Sequence, residues 1–501
     1  MNKLTILNTG LSRRAMLRGG LAAGVAGLAG RAAMGEGNAQ SAMTAAQADT
    51  PPPDLRERPA PGKRRFQSEA IERVIRETKA KIADPTLATM FENCFPNTLD
   101  TTVFPGTFED KPDTFVITGD INAMWLRDSS AQLWPYLPYC KEDPKLAAMI
   151  EGAIRRQSRC ILIDPYANAF MPSVEDKPLS WSVHDDTDLK PGVGERKWEI
   201  DSLCYTLRLA HGYWKATGST APFDVQWKQS AELIVETFRV QQRKDGPGPY
   251  HFQRSSPIPT DTLMLSGYGN PAVSVGMIFS MFRPSDDACI YPLFVPANLF
   301  AITSLEHLAE MATAIYHDAA LAQKAKSLAD EVREAVRQYG RVQHPKYGEM
   351  LAYEVDGYGG RALMDDANAP GILSLAYLGC IDVRDPLYQA SRRFVLSKDN
   401  PYFFKGTAGE GIGGPHEGLN SIWPMSIIMR ALTSTDEAEQ RECLRTIRNT
   451  TAGTNFIHET FYKDDAAKFT RPWFSWANGL FGELILHLAE HRPALLKESY
   501  A

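Results

Sequence analysis

Six times along the chain a cluster of polar and aromatic residues runs straight into an apolar stretch with helical spacing, and this recurrence limits the possible fold more than any other feature. The clusters are Trp125-Leu126-Arg127-Asp128 before 129–137, Glu199-Ile200-Asp201 before 202–214, and Ser285-Asp286-Asp287 before 288–308. They continue with Asp365-Asp366 before 367–378, His416-Glu417 before 418–432, and Arg471-Pro472-Trp473 before 474–488. Between them lie helical stretches with one charged face, such as 318–336 and 437–448. Helices buried all round, alternating with amphipathic ones, are what two concentric rings require. The pattern therefore predicts an all-α fold, an (α/α)6 barrel, with short rim strands at 115–118, 250–253 and 349–355. A single Asp or Ser before a helix is an ordinary N-cap worth about 1 kcal/mol. Ordinary capping does not call for Trp and Arg in the same places.

The N-terminus reads as an address. Arg13 and Arg14, within Ser12-Arg13-Arg14-Ala15-Met16-Leu17-Arg18, precede a weakly apolar stretch rich in Ala and Gly. This matches a twin-arginine export signal over residues 1–48, with Ala46-Gln47-Ala48 as a cleavage site, and predicts a periplasmic or secreted protein. A membrane anchor or an internal amphipathic helix is the competing reading, disfavoured by the segment's shortness and glycine content. A Pro-rich linker, 49–64, leads to one domain over 65–501, with no second linker inside it. No later apolar run reaches the ~18 residues of a membrane span, so no membrane contact is expected after signal removal. Lys plus Arg number 54 against 60 Asp plus Glu, a net charge of -6. Such a chain is not drawn to a phosphate backbone, and nucleic acid is not an expected partner. The seven cysteines are scattered, with no C-x-x-C pair, and read as core residues rather than as a metal site.

Phosphate-binding glycine loops, nucleophile elbows, His-Glu-x-x-His and dinucleotide fingerprints are all missing from the sequence. The clusters concentrate carboxylate, Trp, Tyr and Arg instead. Aromatic faces stack on sugar rings, while Asp and Arg hydrogen-bond vicinal hydroxyls. Glycoside hydrolysis needs two carboxyl groups, one protonated to assist the leaving oxygen and one ionised. The acidic run His184-Asp185-Asp186-Thr187-Asp188 reads as a solvated loop, with cation binding as its alternative. The paired aspartates 286–287 and 365–366 also raise a metal-diphosphate enzyme, but neither pair has a third Asp at the required spacing.

The segment Ile117-Thr118-Gly119-Asp120-Ile121-Asn122-Ala123-Met124-Trp125-Leu126-Arg127-Asp128-Ser129-Ser130-Ala131-Gln132 resembles the hallmark of glycoside hydrolase family 125, the metal-independent exo-α-1,6-mannosidases. The blocks at 199–204, 282–288, 364–368 and 469–474 are similar to the same family, in order, from about residue 65 to 490. The resemblance implies an (α/α)6 barrel that releases terminal α-1,6-linked mannose with inversion, acts on an α-mannoside oligosaccharide or glycan, and uses no cofactor or metal. It places the general acid in Arg283-Pro284-Ser285-Asp286-Asp287, where Asp286 is chosen over Asp287, and the general base at Glu459. Trp125, Arg127, Asp128, Asp287, Asp365, Asp366, His416, Trp423, Arg471 and Trp473 are the expected sugar-binding residues. Glu417 departs from the family pattern, in which a small polar residue such as Thr follows Pro-His, and adds a carboxylate near the site. Another (α/α)6 glycosidase acting on α-glucosides or trehalose, or a non-catalytic glycan-binding protein, remains as an alternative.

Overall fold

The computed structural model describes residues 57–500; the signal expected at 1–48 and the first half of the linker lie outside them. In chain order the main helices are Glu69–Lys79 (α1), Pro85–Cys94 (α2), Leu126–Leu133 (α3), Pro144–Ile163 (α4), Ile200–Thr217 (α5) and Val225–Val240 (α6). Val295–Ala314 (α7), Ala319–Tyr339 (α8), Pro386–Val395 (α9), Pro424–Leu432 (α10), Glu437–Asn449 (α11) and Ser475–His491 (α12) complete them. Helix α10 packs on α12, α12 on α3, α3 on α5 and α5 on α7, an inner run of five helices, with the turns at 367–378 standing between α7 and α10 in chain order. Helices α2, α4, α6, α8, α9 and α11 lie outside it, giving the (α/α)6 barrel that the recurrence predicts.

The two rings differ as the sequence pattern requires. Every residue of α3 is buried, whereas α8 buries Leu321, Ala325, Leu328, Val332 and Val336, a single stripe at helical spacing. Their caps differ too. The outer helices and α1 are capped by Ser68, Asp84, Asp143, Asp224, Asp318, Asp385 and Asp436, each accepting a backbone N–H. The inner helices have Trp125, Glu199, Phe294, Trp423 and Phe474 at that position, none of which caps with its side chain. Rim segments take over that role: Leu126 N–H donates to Asn168 O at 3.0 Å, Val295 N–H to Tyr353 O at 3.0 Å, and Ser475 N–H to Thr118 O at 3.0 Å. The cap side chains of the inner ring are thereby left for another use.

Three expectations change in detail. The stretch 367–378 forms successive turns rather than a helix, because Pro370 supplies no N–H and the Asp365 carboxylate takes the N–H groups of Ile372 and Leu373 at 2.8 and 2.9 Å. The apolar run after Asp287 becomes helical only at Val295, because Tyr291 precedes Pro292 and is biased toward extended backbone. Residues 250–253 form no strand: Phe252 pairs with Gly267 and Gln253 with Asp186, so neighbouring residues bond to different loops. The other expected rim strands are Lys111–Val116, Gly348–Leu351 and Glu354–Val355. Within the linker segment, Arg58 donates to Asp100 at 2.5 Å and to Glu72 at 2.6 Å. Among the described residues, no helix is long and apolar enough to cross a membrane.

Helix α12 makes a close approach to the end of the outer helix α2. A Cβ on Gly482 would lie 2.7 Å from Phe95 Cδ2 and 2.8 Å from its Cα. Gly482→Ala is expected to cost about 1–3 kcal/mol through forced separation of the two helices. A lowered urea midpoint, with unchanged activity of the remaining folded protein, would be the sign of it.

Candidate active site

A cavity of about 410 Å³ opens at the N-terminal ends of the inner helices. Its lining includes Trp125, Arg127, Asp128, Asp286, His416, Trp423, Glu459 and Arg471 from the expected set, and Glu417 beside them. Arg127 stands on the first turn of α3 with only 3% of its side chain exposed. Its Nη1 donates to Glu199 Oε2 at 2.6 Å and to Asp201 Oδ2 at 3.2 Å, and its Nη2 donates to Asp286 Oδ1 at 3.2 Å. Asp128 Oδ2 lies 3.5 Å from Nε. One guanidinium thus faces four carboxyl groups in a site largely shielded from water, and four anions there would repel one another strongly. Burial accordingly pushes Asp128 and Asp201 up to about 6. Asp286 goes the other way. Against the burial penalty, Arg127, a hydrogen bond with Glu199, Lys197 and His416 hold its carboxyl well below the usual range.

Asp286 sits in a tight turn rather than on a helix. Its N–H donates to Arg283 O, and Arg283 N–H donates to Asp287 O, both at 2.8 Å. The turn puts Asp286 at φ 64, in the left-handed region that Asp tolerates better than most residues. Buried Arg283 anchors the turn through Nε to Glu354 Oε1 at 2.6 Å. The outcome for the paired aspartates is clear: Asp286 faces the cavity with 23% of its side chain exposed, while Asp287 is fully buried.

Glu459 belongs to a different wall. It precedes the strand Thr460–Tyr462, and its N–H donates to Thr470 O at 3.2 Å. Its Oε2 accepts from Thr470 Oγ1 at 3.0 Å, and its Oε1 accepts from Arg471 Nη1 at 3.3 Å. Arg471 is fixed in turn by Asp120 and Thr118 at 2.9 and 3.1 Å. Gly119 makes this possible: at φ +134, a Cβ there would lie 2.3 Å from Trp473 O.

Four expected sugar ligands do not line the cavity. Asp365 is fully buried and holds the turn after it, as described. Asp366 accepts from Ser285 Oγ at 3.0 Å and from Asn368 N–H at 3.0 Å. Asp287 lies 3.7 Å from His416 Nδ1. These two stand behind lining residues rather than among them. Trp473 packs with Phe115, Ile117 and Met124 beneath Gly119. For Asp287 the reason is that its neighbour Asp286 takes the cavity side of the turn, whereas Asp365, Asp366 and Trp473 are spent on hydrogen bonds and packing within the rim.

A second group of lining residues was not singled out from sequence: Trp181, Glu195, Lys197, Arg254 and Asp261. Trp181 is 41% exposed, yet its indole N–H is held by Glu195 Oε1 at 3.0 Å. Arg254 ties the loop down, donating to Asp185 at 2.6 Å, Glu195 at 2.8 Å and Ser182 at 3.3 Å. Asp185, from the acidic run read as solvated, is therefore a structural tie. Asn168 bridges the two groups, donating to Glu195 at 3.1 Å and to Asp286 at 3.3 Å. These residues come from loops with no local signal. Glu199 and Asp201, by contrast, were visible as one of the six clusters.

The indole nitrogens of Trp125 and Trp423 are buried and have no hydrogen-bond partner, two donors available to sugar hydroxyls. His416, Glu417 and Glu459 bring ligand atoms within 4.8 Å of one another. That set suits a divalent cation, and equally a water held against Glu459. Paired carboxyls on separate walls, buried indoles and a fixed arginine are the equipment of a carbohydrate hydrolase.

Comparison with known proteins agrees. Residues 84–486 match the family of metal-independent α-mannosidases, glycoside hydrolase family 125, and the chain belongs to it. A Schizosaccharomyces pombe protein, described as meiotically up-regulated gene 157 protein, is 44% identical over 460 residues, or 88% of this chain and 90% of the relative. A Streptococcus pneumoniae metal-independent α-mannosidase, solved in a non-productive complex with α-1,6-mannobiose, is 40% identical with a TM-score of 0.81. It covers 85% of this chain and 100% of its own. A bacterial glucoamylase complexed with acarbose, 11% identical, shares the fold at a TM-score of 0.50 over 82% of this chain and 57% of its own.

The charge crowding around Arg127 has a measurable result. Asp128 and Asp201 hold their protons to about pH 6 when folded, against an ordinary 3.8. They therefore favour folding below about pH 4, and that contribution is lost as the pH rises through about 6. Arg127→Met is expected to abolish activity and to destabilise by about 3–5 kcal/mol at pH 8. Thermal unfolding should show a smaller loss at pH 5, where protons neutralise the abandoned carboxylates.

Proposed function

We propose that this α-mannosidase removes terminal α-1,6-linked mannose with inversion, Asp286 protonating the leaving oxygen and Glu459 activating the attacking water. The observation that carries this reading is the placement of these two carboxyls on separate walls of one cavity, each tied to its own arginine. A double displacement would need a carboxylate close enough to attack the sugar; an inverting site leaves room for water between its carboxyls. The α-1,6 linkage is supported by the disaccharide bound to the Streptococcus pneumoniae relative. Terminal action is supported by the burial of Arg127 in the cavity lining.

In this reading Trp125 and Trp423 donate to hydroxyls of the terminal mannose, with Asp128 and Arg471 beside them. Glu459 accepts a proton from water as the C1–O bond breaks, and the leaving sugar departs past Trp181 and Arg254. No step calls for a metal. The twin-arginine pattern at Ser12–Arg18 supports action outside the cytoplasm, in the periplasm or beyond.

Proton NMR of α-1,6-mannobiose hydrolysis is expected to show β-mannose first, with the same rate in excess chelator. Asp286→Ala and Glu459→Ala should each lower kcat by about 10²–10⁴, whereas α-mannose appearing first would exclude inversion. Trp181→Ala, which removes an exposed aromatic face worth ~0.5–1.5 kcal/mol, is expected to raise KM for the disaccharide several-fold. Its effect on an aryl α-mannoside with no second sugar should be smaller.

A further inference from the structure

The proposed mechanism needs a proton on Asp286, and the surroundings of Asp286 favour its anion. The missing proton has a place next door. Glu199 and Asp286 are bound by the two terminal nitrogens of the same guanidinium, Nη1 at 2.6 Å and Nη2 at 3.2 Å, which sets their carboxyl groups side by side and in hydrogen-bond contact. Glu199 is fully buried. Its Oε2 is satisfied by Arg127 and by Ser202 Oγ at 2.9 Å, while its Oε1 is buried without a donor. Two carboxylates in contact present only acceptors to each other, and the contact becomes a hydrogen bond only when one of them carries a proton.

We infer that Glu199 and Asp286 share one proton, and that Glu199 is the positioning residue that supplies it to Asp286 as the glycosidic oxygen accepts one. This rests on the reading of Asp286 as the acid. The balance is simple. Glu199 gives its proton to Asp286, Asp286 gives one to the leaving oxygen, and the C1–O bond breaks. The Glu199 carboxylate is left against Arg127 and the Ser202 hydroxyl. Glu459 has meanwhile taken a proton from water, and solvent returns one to the pair. The other groups facing Glu199 are Asp201 on α5 and the Tyr250 hydroxyl from the rim. Asp201 and Asp286 raise the Glu199 carboxyl, in addition to its burial, and Arg127 opposes them. The pair titrates as a unit rather than as two independent acids.

The test compares α-1,6-mannobiose, whose leaving alcohol needs a proton, with 2,4-dinitrophenyl α-mannoside, whose phenolate leaves without one. Glu199→Gln keeps the size and gives Asp286 an N–H but no transferable proton. It is expected to lower kcat on mannobiose about 10²-fold, to leave the dinitrophenyl substrate within about threefold, and to move the basic limb of the mannobiose pH profile to lower pH. Equal losses on both substrates with an unmoved basic limb would overturn the inference and leave Glu199 as a mere support for Arg127.

Should circular dichroism show that Glu199→Gln is unfolded, Ser202→Ala serves instead. It removes the hydroxyl that favours the Glu199 anion, so the basic limb on mannobiose should move to higher pH, and an unmoved limb overturns the proposal. A wild type inactive on both substrates takes down the reading of Asp286 and this inference together. Wild-type activity with an unchanged substrate ratio in Glu199→Gln removes the inference alone.

Discussion

The guanidinium of Arg127 is the interaction on which the site depends. It gathers Asp128, Glu199, Asp201 and Asp286 from α3, from the start of α5 and from the turn at 283–287. A single buried cation cannot neutralise four anions, so the cluster's carboxyls are pushed toward their protonated forms, Glu199 well above its ordinary range. That constraint sets the different states of its members: burial raises Asp128 and Asp201, while the nearest positive groups keep Asp286 low. Carboxyls of one type thus differ in how firmly they hold a proton, as their surroundings dictate.

The barrel supports this cluster through the way its inner helices begin. An outer helix ends its chain of unpaired N–H groups on its own Asp or Ser, as Asp143 does for Lys145 and Leu146. An inner helix hands the same duty to rim backbone, as Asn168 O does for Leu126. Trp125, Glu199, Trp423 and Phe474 are thereby free to serve the cavity or its charge cluster. Short strands such as Met124–Trp125, paired with Ala169–Phe170, hold the extended approach to each inner helix and orient these side chains.

Much of this was legible along the chain. The alternation of fully apolar and one-faced helices follows from burial alone, and it survives the replacement of one inner helix by turns at 367–378. Trp125, Arg127, Asp128, His416 and Trp423 were visible because aromatic and charged residues stood where a capping residue would suffice. Asp365 and Trp473 stood out for the same reason and serve the turn and the rim packing instead. Trp181, Asn168 and Arg254 gave no signal, being single residues in irregular loops whose position depends on partners 14 to 118 residues away.

By itself the sequence determined the two-ring architecture, because helical periodicity and the choice between one and all apolar faces are local properties that burial reads directly. It also named the chemistry, since carboxylates, indoles and arginines at helix entrances suit few ligands other than sugars. Only the tertiary structure decided that Asp286 rather than Asp287 meets the cavity, that neither Asp365 nor Asp366 does, and which carboxyls are pushed toward their protonated forms. Side-chain direction in a turn depends on a backbone angle such as the φ of 64° at Asp286. Charge state depends on how many anions from distant segments converge on one guanidinium, and no local stretch of chain contains that number.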